Sequence, residues 1–152
     1  MGNKKGAIYL RENNKNIIAV LDDILCNRKE VYNVGKKVTV IEPMDEYWRE
    51  CICLFLAAVV YYLKENNASE NKLCYSAVLD FIQRARRMDI DELTALFDSG
   101  GETSEAYKYY SAFMDKSGKT VVSVISTAYI KIKGIYFDKQ RIAEFERVFE
   151  IC

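Results

Sequence analysis

Hydrophobic residues recur at helical spacing along most of the chain. Residues 13–26 form a first amphipathic stretch, with Asn13 or Asn14 as candidate N-caps. A longer stretch at 45–65, with Asp45 as its candidate N-cap, is apolar on most of its other face as well. A helix that is apolar all round belongs in the middle of a bundle, so residues 45–65 are predicted to form a central helix. Its predicted inward residues are Trp48, Ile52, Phe55, Leu56, Val59, Tyr62 and Leu63.

Two stretches interrupt this helical pattern. In residues 27–44, valines alternate with polar residues, and Gly35 and Pro43 break the run. This pattern predicts an extended connector near 31–43 and leaves open whether that connector forms a hairpin. The polar residues 65–72 are predicted to form a loop.

Capping residues mark the helices that follow. Ser76 is the candidate N-cap of a helix that ends at Arg87. Asp89 and Glu92 have the spacing of a capping box, which predicts a short helix through Phe97. Gly100 and Gly101 then stop that helix.

Further signals divide the C-terminal third. A helix is predicted from Thr103 or Ser104 to about Lys116, with Tyr107, Tyr110 and Met114 facing inward, and a break follows at Ser117-Gly118. Asp138 is the candidate N-cap of a last helix. The apolar residues of that last helix are Ile142, Phe145, Val148 and Phe149.

Residues 119–133 carry two competing patterns. They are rich in β-branched residues and alternate locally, which favours a strand. Val121, Ile125, Ala128 and Ile132 form an equally good helical stripe, with Gly134 as a C-terminal stop. We predict a helix, because a buried stripe can outweigh propensity differences of a few tenths of a kcal/mol per residue.

Composition supports a single all-α domain. The chain has 152 residues, of which 50% are hydrophobic, but only seven glycines and one proline, too few turn formers for an all-β sandwich. The elements above predict a compact bundle of about six or seven helices over residues 1–152. The thirteen apolar residues from Cys51 to Leu63 are too few to span a bilayer about 30 Å thick. We therefore expect a cytoplasmic domain with reduced thiols, since the N-terminus lacks the apolar core of a signal peptide.

Charge and chemistry exclude several functions. The 22 basic and 22 acidic side chains cancel, so any charge-based function must be local. The chain contains no histidine, which removes the commonest general base and metal ligand. Cys51 and Cys53 point about 200° apart on a helix, and no other cysteine has ligand-like spacing, so the thiols are interpreted as small buried hydrophobes. No catalytic residue, cofactor site or metal site is predicted.

The segment Ser117-Gly118-Lys119-Thr120 is similar to part of a phosphate-binding loop. The full motif needs a glycine five residues before the Gly-Lys glycine, and that position is Phe113. A bulky residue cannot occupy the tight turn of a loop that wraps phosphates. The segment is therefore predicted to be a helix break.

Two basic clusters are the candidate contacts for nucleic acid. Arg84, Arg86 and Arg87 form one, and Lys116 and Lys119 belong to a second, acid-free stretch that also includes Lys131 and Lys133. A solvated helix end is the alternative for the arginines, and the acidic residues at 89, 91 and 92 favour it. Helical spacing assigns Tyr107 and Tyr110 to the core and leaves Tyr109 as an exposed aromatic that could stack on a base.

Three segments, in this order and spacing, resemble the all-α domain of type IV secretion coupling proteins, the TraG-type conjugation ATPases. They are EYWRECICLFLAAVVYYLKE at 46–65, YSAVLDFIQRA at 75–85 and YKYYSAFMDKSGKTVVSVISTAYIKI at 107–132. The shared pattern is a Trp-led apolar helix ending in Tyr-Tyr-Leu, a Ser-capped helix, and a Gly-Lys-Thr segment followed three residues later by Ser. The likeness covers about ninety residues, Asp45 to Asp138, and favours a helix at 119–133.

The resemblance implies a role in substrate recognition. In that family the domain is inserted in a RecA-like motor and helps select relaxase-bound DNA or protein cargo for the secretion channel. ATP and Mg²⁺ would bind to the motor of a hexameric, membrane-anchored parent protein, and the chain itself would be an excised domain, monomeric or weakly dimeric. A relaxase or accessory protein is the implied partner, with single-stranded DNA as a weak one. The alternative is a free-standing helical adaptor or regulator.

Overall fold

The first described part of the chain is a helix that leads into a β-hairpin. The structure is a computed structural model that describes residues 17–26, 28–33, 35–41, 44–66 and 73–151. Helix α1 comprises residues 17–21 and a π-helical turn, Asp22–Cys26. Strand β1 (Arg28–Asn33) pairs antiparallel with β2 (Lys36–Ile41), and Gly35 has the positive φ of 75° that their tight turn requires. The connector is thus a hairpin over most of its length, while Asn13, Asn14 and Pro43 lie outside the described residues.

Helix α2 (Glu46–Glu65) is the longest helix of the described residues. Asp45 caps it, as predicted, by accepting a hydrogen bond of 2.8 Å from the Tyr47 N–H. The helix packs against α1 and against four of the helices defined below, α3, α5, α6 and α8. Of its predicted inward residues Ile52, Phe55, Leu56 and Val59 are buried, and Trp48, Tyr62 and Leu63 are half-buried.

Helix α3 (Tyr75–Ala85) begins before its predicted cap. Ser76 is exposed within the first turn, and Cys74 at the N-cap position makes no capping hydrogen bond with its side chain. The Tyr75 N–H instead donates to the Glu146 carboxylate at 2.8 Å. The prediction of Ser76 as N-cap was wrong because the acceptor comes from a helix far along the chain.

The capping predictions for α4 (Ile90–Asp98) and α5 (Glu105–Ser117) are confirmed. Asp89 accepts a hydrogen bond of 2.8 Å from the Glu92 N–H, and Ser104 accepts one of 3.1 Å from the Tyr107 N–H. The predicted break is also present, since Gly118 has φ 52° and begins a 3₁₀ turn, Gly118–Thr120.

Residues Val121–Lys133 form helix α6, as predicted, despite their β-branched content. The four stripe residues are buried together with Val124, and α6 packs on both α2 and α3. The helix ends at Gly134, but with φ −61° rather than the left-handed conformation of a glycine stop. Asp138 caps α7 (Lys139–Glu146), and α8 (Val148–Ile151) follows.

The helices enclose one continuous hydrophobic core, which confirms the predicted all-α fold class. Stacked aromatic pairs cross it: the ring centroids of Phe97 and Tyr110 are 4.2 Å apart, and those of Tyr61 and Tyr109 are 5.3 Å apart. No helix among the described residues combines the length and apolar character that a membrane crossing requires.

Candidate interaction surface at the end of α6

The three candidate arginines are exposed where α3 ends. Asp89, the nearest acid along the chain, is used to cap α4. Within the described ranges none of the three arginines forms an ion pair. The Arg86 guanidinium instead lies over the ring of Tyr129, with Cζ 4.1 Å from the ring centroid.

A lysine approaches the same tyrosine ring from α6. The Lys133 Nζ is 5.9 Å from the Tyr129 ring centroid. Tyr129 and Lys133 are four residues apart and thus on one face of the helix. Two cations of separate helices therefore meet at one aromatic ring.

Two exposed aromatic residues continue this surface beyond α6. In the turn that follows the helix, Ile135 is buried, while Tyr136 is 52% and Phe137 is 94% exposed. The Tyr136 N–H donates to the Lys133 carbonyl at 3.1 Å, and the Asp138 N–H donates to the Ile135 carbonyl at 2.9 Å, which fixes the turn.

Tyr75 lies beside the end of α6 and is influenced by both phenols of this surface. Burial is the main cause that raises the pKa of Tyr75 to about 12, and the phenols of Tyr136 and Tyr129 contribute in the same direction. The Tyr75 hydroxyl donates to the Ile132 carbonyl at the end of α6. We name the surface formed by Arg86, Tyr129, Lys133, Tyr136 and Phe137 the basic-aromatic patch.

The predicted exposure of Tyr109 was wrong. Tyr109 is fully buried and stacks on Tyr61, so it cannot stack on a base. The buried positions of α5 recur at i, i+3, i+4, i+7 and i+11, one residue out of register with the predicted stripe. Those buried residues are Ala106, Tyr109, Tyr110, Phe113 and Ser117.

Lys116 and Lys119 do not join the basic-aromatic patch. Lys119 is exposed at the start of α6, about 20 Å along the helix axis from Lys133. Lys116 forms an ion pair of 2.7 Å with Glu50, which raises the pKa of Lys116. The end of α5 is also held by Tyr47, whose hydroxyl contacts the Lys116 and Ser117 carbonyls at 3.1 and 3.0 Å and the Thr120 hydroxyl at 2.9 Å.

A scan against protein-family models, a search of curated proteins and a search of solved structures each found no match. The site therefore has to be interpreted from its own chemistry. An exposed phenyl ring, two further phenols and two cations offer stacking faces beside positive charge.

Arg86 and Lys133 were predicted contacts in separate basic clusters, whereas Tyr129, Tyr136 and Phe137 were not predicted as contacts. Tyr129 and Lys133 have the spacing of neighbours on a helix, and that spacing was a usable signal. Tyr136 and Phe137 lie between Gly134, the predicted end of one helix, and Asp138, the predicted start of the next. Large aromatic residues in so short a connection do not belong to the buried face of either helix.

A second cluster brings together two cysteines, Cys26 and Cys53, that are distant in the sequence. The Cys26 and Cys53 sulfurs and a carboxylate oxygen of Asp22 all lie within 4.8 Å of one another. Cys26 and Cys53 are both buried, as predicted for small hydrophobes. Their contact was not predicted, because the spacing of cysteines along one helix does not indicate which cysteine of another helix lies beside them.

Proposed function

We propose that this chain is a non-catalytic recognition domain of a conjugative coupling ATPase, which helps select relaxase-bound DNA or protein cargo. The basic-aromatic patch is the observation that carries the proposal. The resemblance of residues 45–138 to the all-α domain of such ATPases supplies the biological setting.

Single-stranded DNA suits the patch chemically. Aromatic rings stack on bases of any sequence, and clustered cations release counterions from the backbone. Phe137 offers an almost fully exposed face, and Arg86 and Lys133 lie at the neighbouring Tyr129. Because the chain carries no net charge and the patch has few cations, binding is weak and non-specific, and its affinity falls with a shallow slope as the salt concentration rises.

Fluorescence anisotropy of a labelled single-stranded oligonucleotide at low salt tests this proposal. We expect the double variant Arg86→Glu with Lys133→Glu to lose measurable binding, and Phe137→Ala to weaken it roughly five- to thirty-fold, the equivalent of about 1–2 kcal/mol. Lys119→Glu is the control for one of these reversals, since it makes the same charge change as Lys133→Glu but at the other end of α6. Equal losses in Lys119→Glu and the double variant would show that the patch is not the contact.

The second candidate is a free-standing helical adaptor that binds a protein partner. Val122 and Ile130 on α6 are 65% and 66% exposed, and with Phe137 they supply apolar contact area suited to a protein. If the oligonucleotide does not bind while Phe137→Ala disrupts capture of a purified relaxase, the first candidate holds with a protein as its cargo. Absence of both interactions favours the adaptor.

The parent reading frame distinguishes the two candidates. A phosphate-binding loop segment encoded upstream and an acidic-strand segment downstream would support the coupling ATPase. A frame that holds this domain alone would support the adaptor.

A further inference from the structure

Two helices present matching pairs of side chains at the contact of α1 with α2. Arg49 and Cys53 are four residues apart on α2 and share one face. Asp22 and Cys26 are also four apart, in the π-helical turn, whose wider i to i+5 bonding brings residues of this spacing almost above one another. Asp22 meets Arg49, and Cys26 meets Cys53.

The Asp22 carboxylate is paired with Arg49, and this ion pair is more exposed to solvent than the two thiols. Arg49 donates from Nε to Oδ1 of Asp22 at 2.9 Å and from Nη2 to Oδ2 at 2.7 Å. The two side chains are 31% and 21% exposed, whereas Cys26 and Cys53 are 2% and 1% exposed. The partly exposed ion pair therefore separates the two buried sulfurs from solvent.

The two thiols are not equivalent. A hydrogen bond from Cys53 lowers the pKa of Cys26, and the charges of Lys131 and Arg49 act in the same direction, while burial and Asp22 oppose it. That hydrogen bond and burial raise the pKa of Cys53 well above its ordinary value. Cys26 is thus the more readily deprotonated of the two thiols, and Cys53 is the hydrogen-bond donor beside it.

We propose that Cys26 and Cys53 form an oxidation-sensitive dithiol site, which closes to an intrachain disulfide when hydrogen peroxide reaches it. A metal site is the less suitable assignment, because both oxygens of Asp22 already accept hydrogen bonds from Arg49. Two sulfurs remain in the cluster, which is fewer than the four ligands of a structural zinc site.

The proposed reaction balances with peroxide as the oxidant. The Cys26 thiolate attacks one peroxide oxygen, forming an S–O bond and breaking the O–O bond, and the released hydroxide takes up a proton and leaves as water. The Cys53 sulfur gives up its proton and attacks the Cys26 sulfur, which forms the S–S bond and expels the sulfenic oxygen as a second water. The two thiols are oxidised by two electrons in all, and peroxide is reduced to two waters. The sulfurs then move from within 4.8 Å to about 2 Å, which requires rotation of the side chains.

The disulfide is tested on the full chain by peptide mass mapping. The reduced, folded protein is treated with hydrogen peroxide, quenched with an alkylating reagent in denaturant, and digested. We expect a linked Cys26–Cys53 peptide that a phosphine reductant removes, with the other cysteines still alkylated. Cys26→Ala and Cys53→Ala should abolish the linked product, while Cys51→Ala, the control on the same helix, should retain it.

Arg49 is a positioning residue for the Cys26 thiolate, and a rate measurement tests this role. Arg49→Gln should slow disulfide formation several-fold and shift the pH at which the rate is half-maximal upward, whereas Arg87→Gln, an exposed control, should change neither. The direct mapping of the parent protein keeps the test decisive if a cysteine variant fails to fold. Oxidation that requires urea, or that links another pair, would overturn the proposal. Stoichiometric binding of added Zn²⁺ that is lost in both Cys26→Ala and Cys53→Ala would overturn it in favour of a metal site.

Discussion

At the scale of single residues, the hydroxyl of Tyr47 explains why the Gly-Lys-Thr segment is a helix break and not a phosphate site. It contacts two backbone carbonyls at the end of α5 and the side chain of Thr120. The Gly118 N–H, which a phosphate would need, donates to the Met114 carbonyl as part of the helix cap. The segment thus uses its polar groups to join two helices.

Removing this hydroxyl tests its contribution to stability. We expect Tyr47→Phe to lower the free energy of unfolding by about 1–2 kcal/mol, because several partly buried polar atoms lose a partner. Urea denaturation followed by circular dichroism measures the change. Tyr107→Phe is the matched control, since in the described part of the chain the Tyr107 hydroxyl has no hydrogen-bond partner. Equal losses in the two variants would contradict the role of Tyr47.

The same geometry predicts that the isolated chain does not bind ATP. The missing glycine at Phe113 and the bonded Gly118 amide leave no cradle of free N–H groups for phosphates. Titration calorimetry with ATP and Mg²⁺ is expected to give no saturable heat, for the parent protein and for Lys119→Ala alike. Saturable binding that Lys119→Ala abolishes would restore a nucleotide site.

Tyr75 gives a pH dependence with a definite sign. Its pKa is raised by burial to about 12, from about 10 in the unfolded chain, so folding favours the neutral phenol. The stabilisation is complete below about pH 10 and is lost as the pH rises through about 12. Urea midpoints measured from pH 8 into this range should fall less steeply for Tyr75→Phe than for the parent protein. Parallel curves would show that Tyr75 does not control the alkaline limit.

At the scale of elements, carboxylates reach across the bundle to cap helices. Glu65, the last residue of α2, accepts hydrogen bonds at the start of α5 from the Ser104 hydroxyl at 2.6 Å and from the Glu105 and Ala106 N–H groups at 2.9 and 3.3 Å. Glu146 does the same for α3. Each negative charge lies at the positive end of a helix dipole.

Truncation of the Glu65 side chain tests how much this cap contributes to the stability of the fold. Glu65→Ala should cost about 1–2 kcal/mol in the free energy of unfolding, because it leaves the first N–H groups of α5 unsatisfied. Glu65→Gln, which retains one oxygen acceptor, should cost less. Glu102→Ala, in the exposed turn before α5, serves as the control for removal of a negative charge, and chemical denaturation compares all three.

These caps also show which parts of each element could be predicted. Asp45, Asp89, Ser104 and Asp138 cap their own helices, so local sequence was sufficient. The start of α3 was misplaced because its acceptor, Glu146, is supplied by tertiary structure. Helix α6 was predictable only because its buried stripe outweighs the strand propensity of its residues.

At the scale of the whole molecule, the helices share one core, and the fold class followed from the periodicity of hydrophobic residues. The contacts that define the basic-aromatic patch and the dithiol site did not follow from that periodicity. Two contacts, of Arg86 with Tyr129 and of Cys26 with Cys53, join residues that are 43 and 27 positions apart. No local sequence pattern specifies contacts of this kind. The misassignment of Tyr109 had a different cause, a one-residue error in the register of α5.

A single core predicts cooperative unfolding. Urea denaturation curves from far-ultraviolet circular dichroism and from tryptophan fluorescence should coincide within error, since the buried apolar residues of the described helices all belong to one cluster. Midpoints that differ would show that the end of α2 holding Trp48 unfolds apart from the remainder.

Trp48 gives the chain a natural optical probe at that end. It is the only tryptophan, and its ring centroid is 6.0 Å from that of Tyr47, the residue that holds the junction of α5 and α6. Because the edge of the Tyr47 ring forms part of the surroundings of the indole, a rearrangement of Tyr47 at the junction alters indole emission without an attached dye. Movements of the Gly-Lys-Thr turn can therefore be followed in the unlabelled protein on the timescale of a stopped-flow mixer.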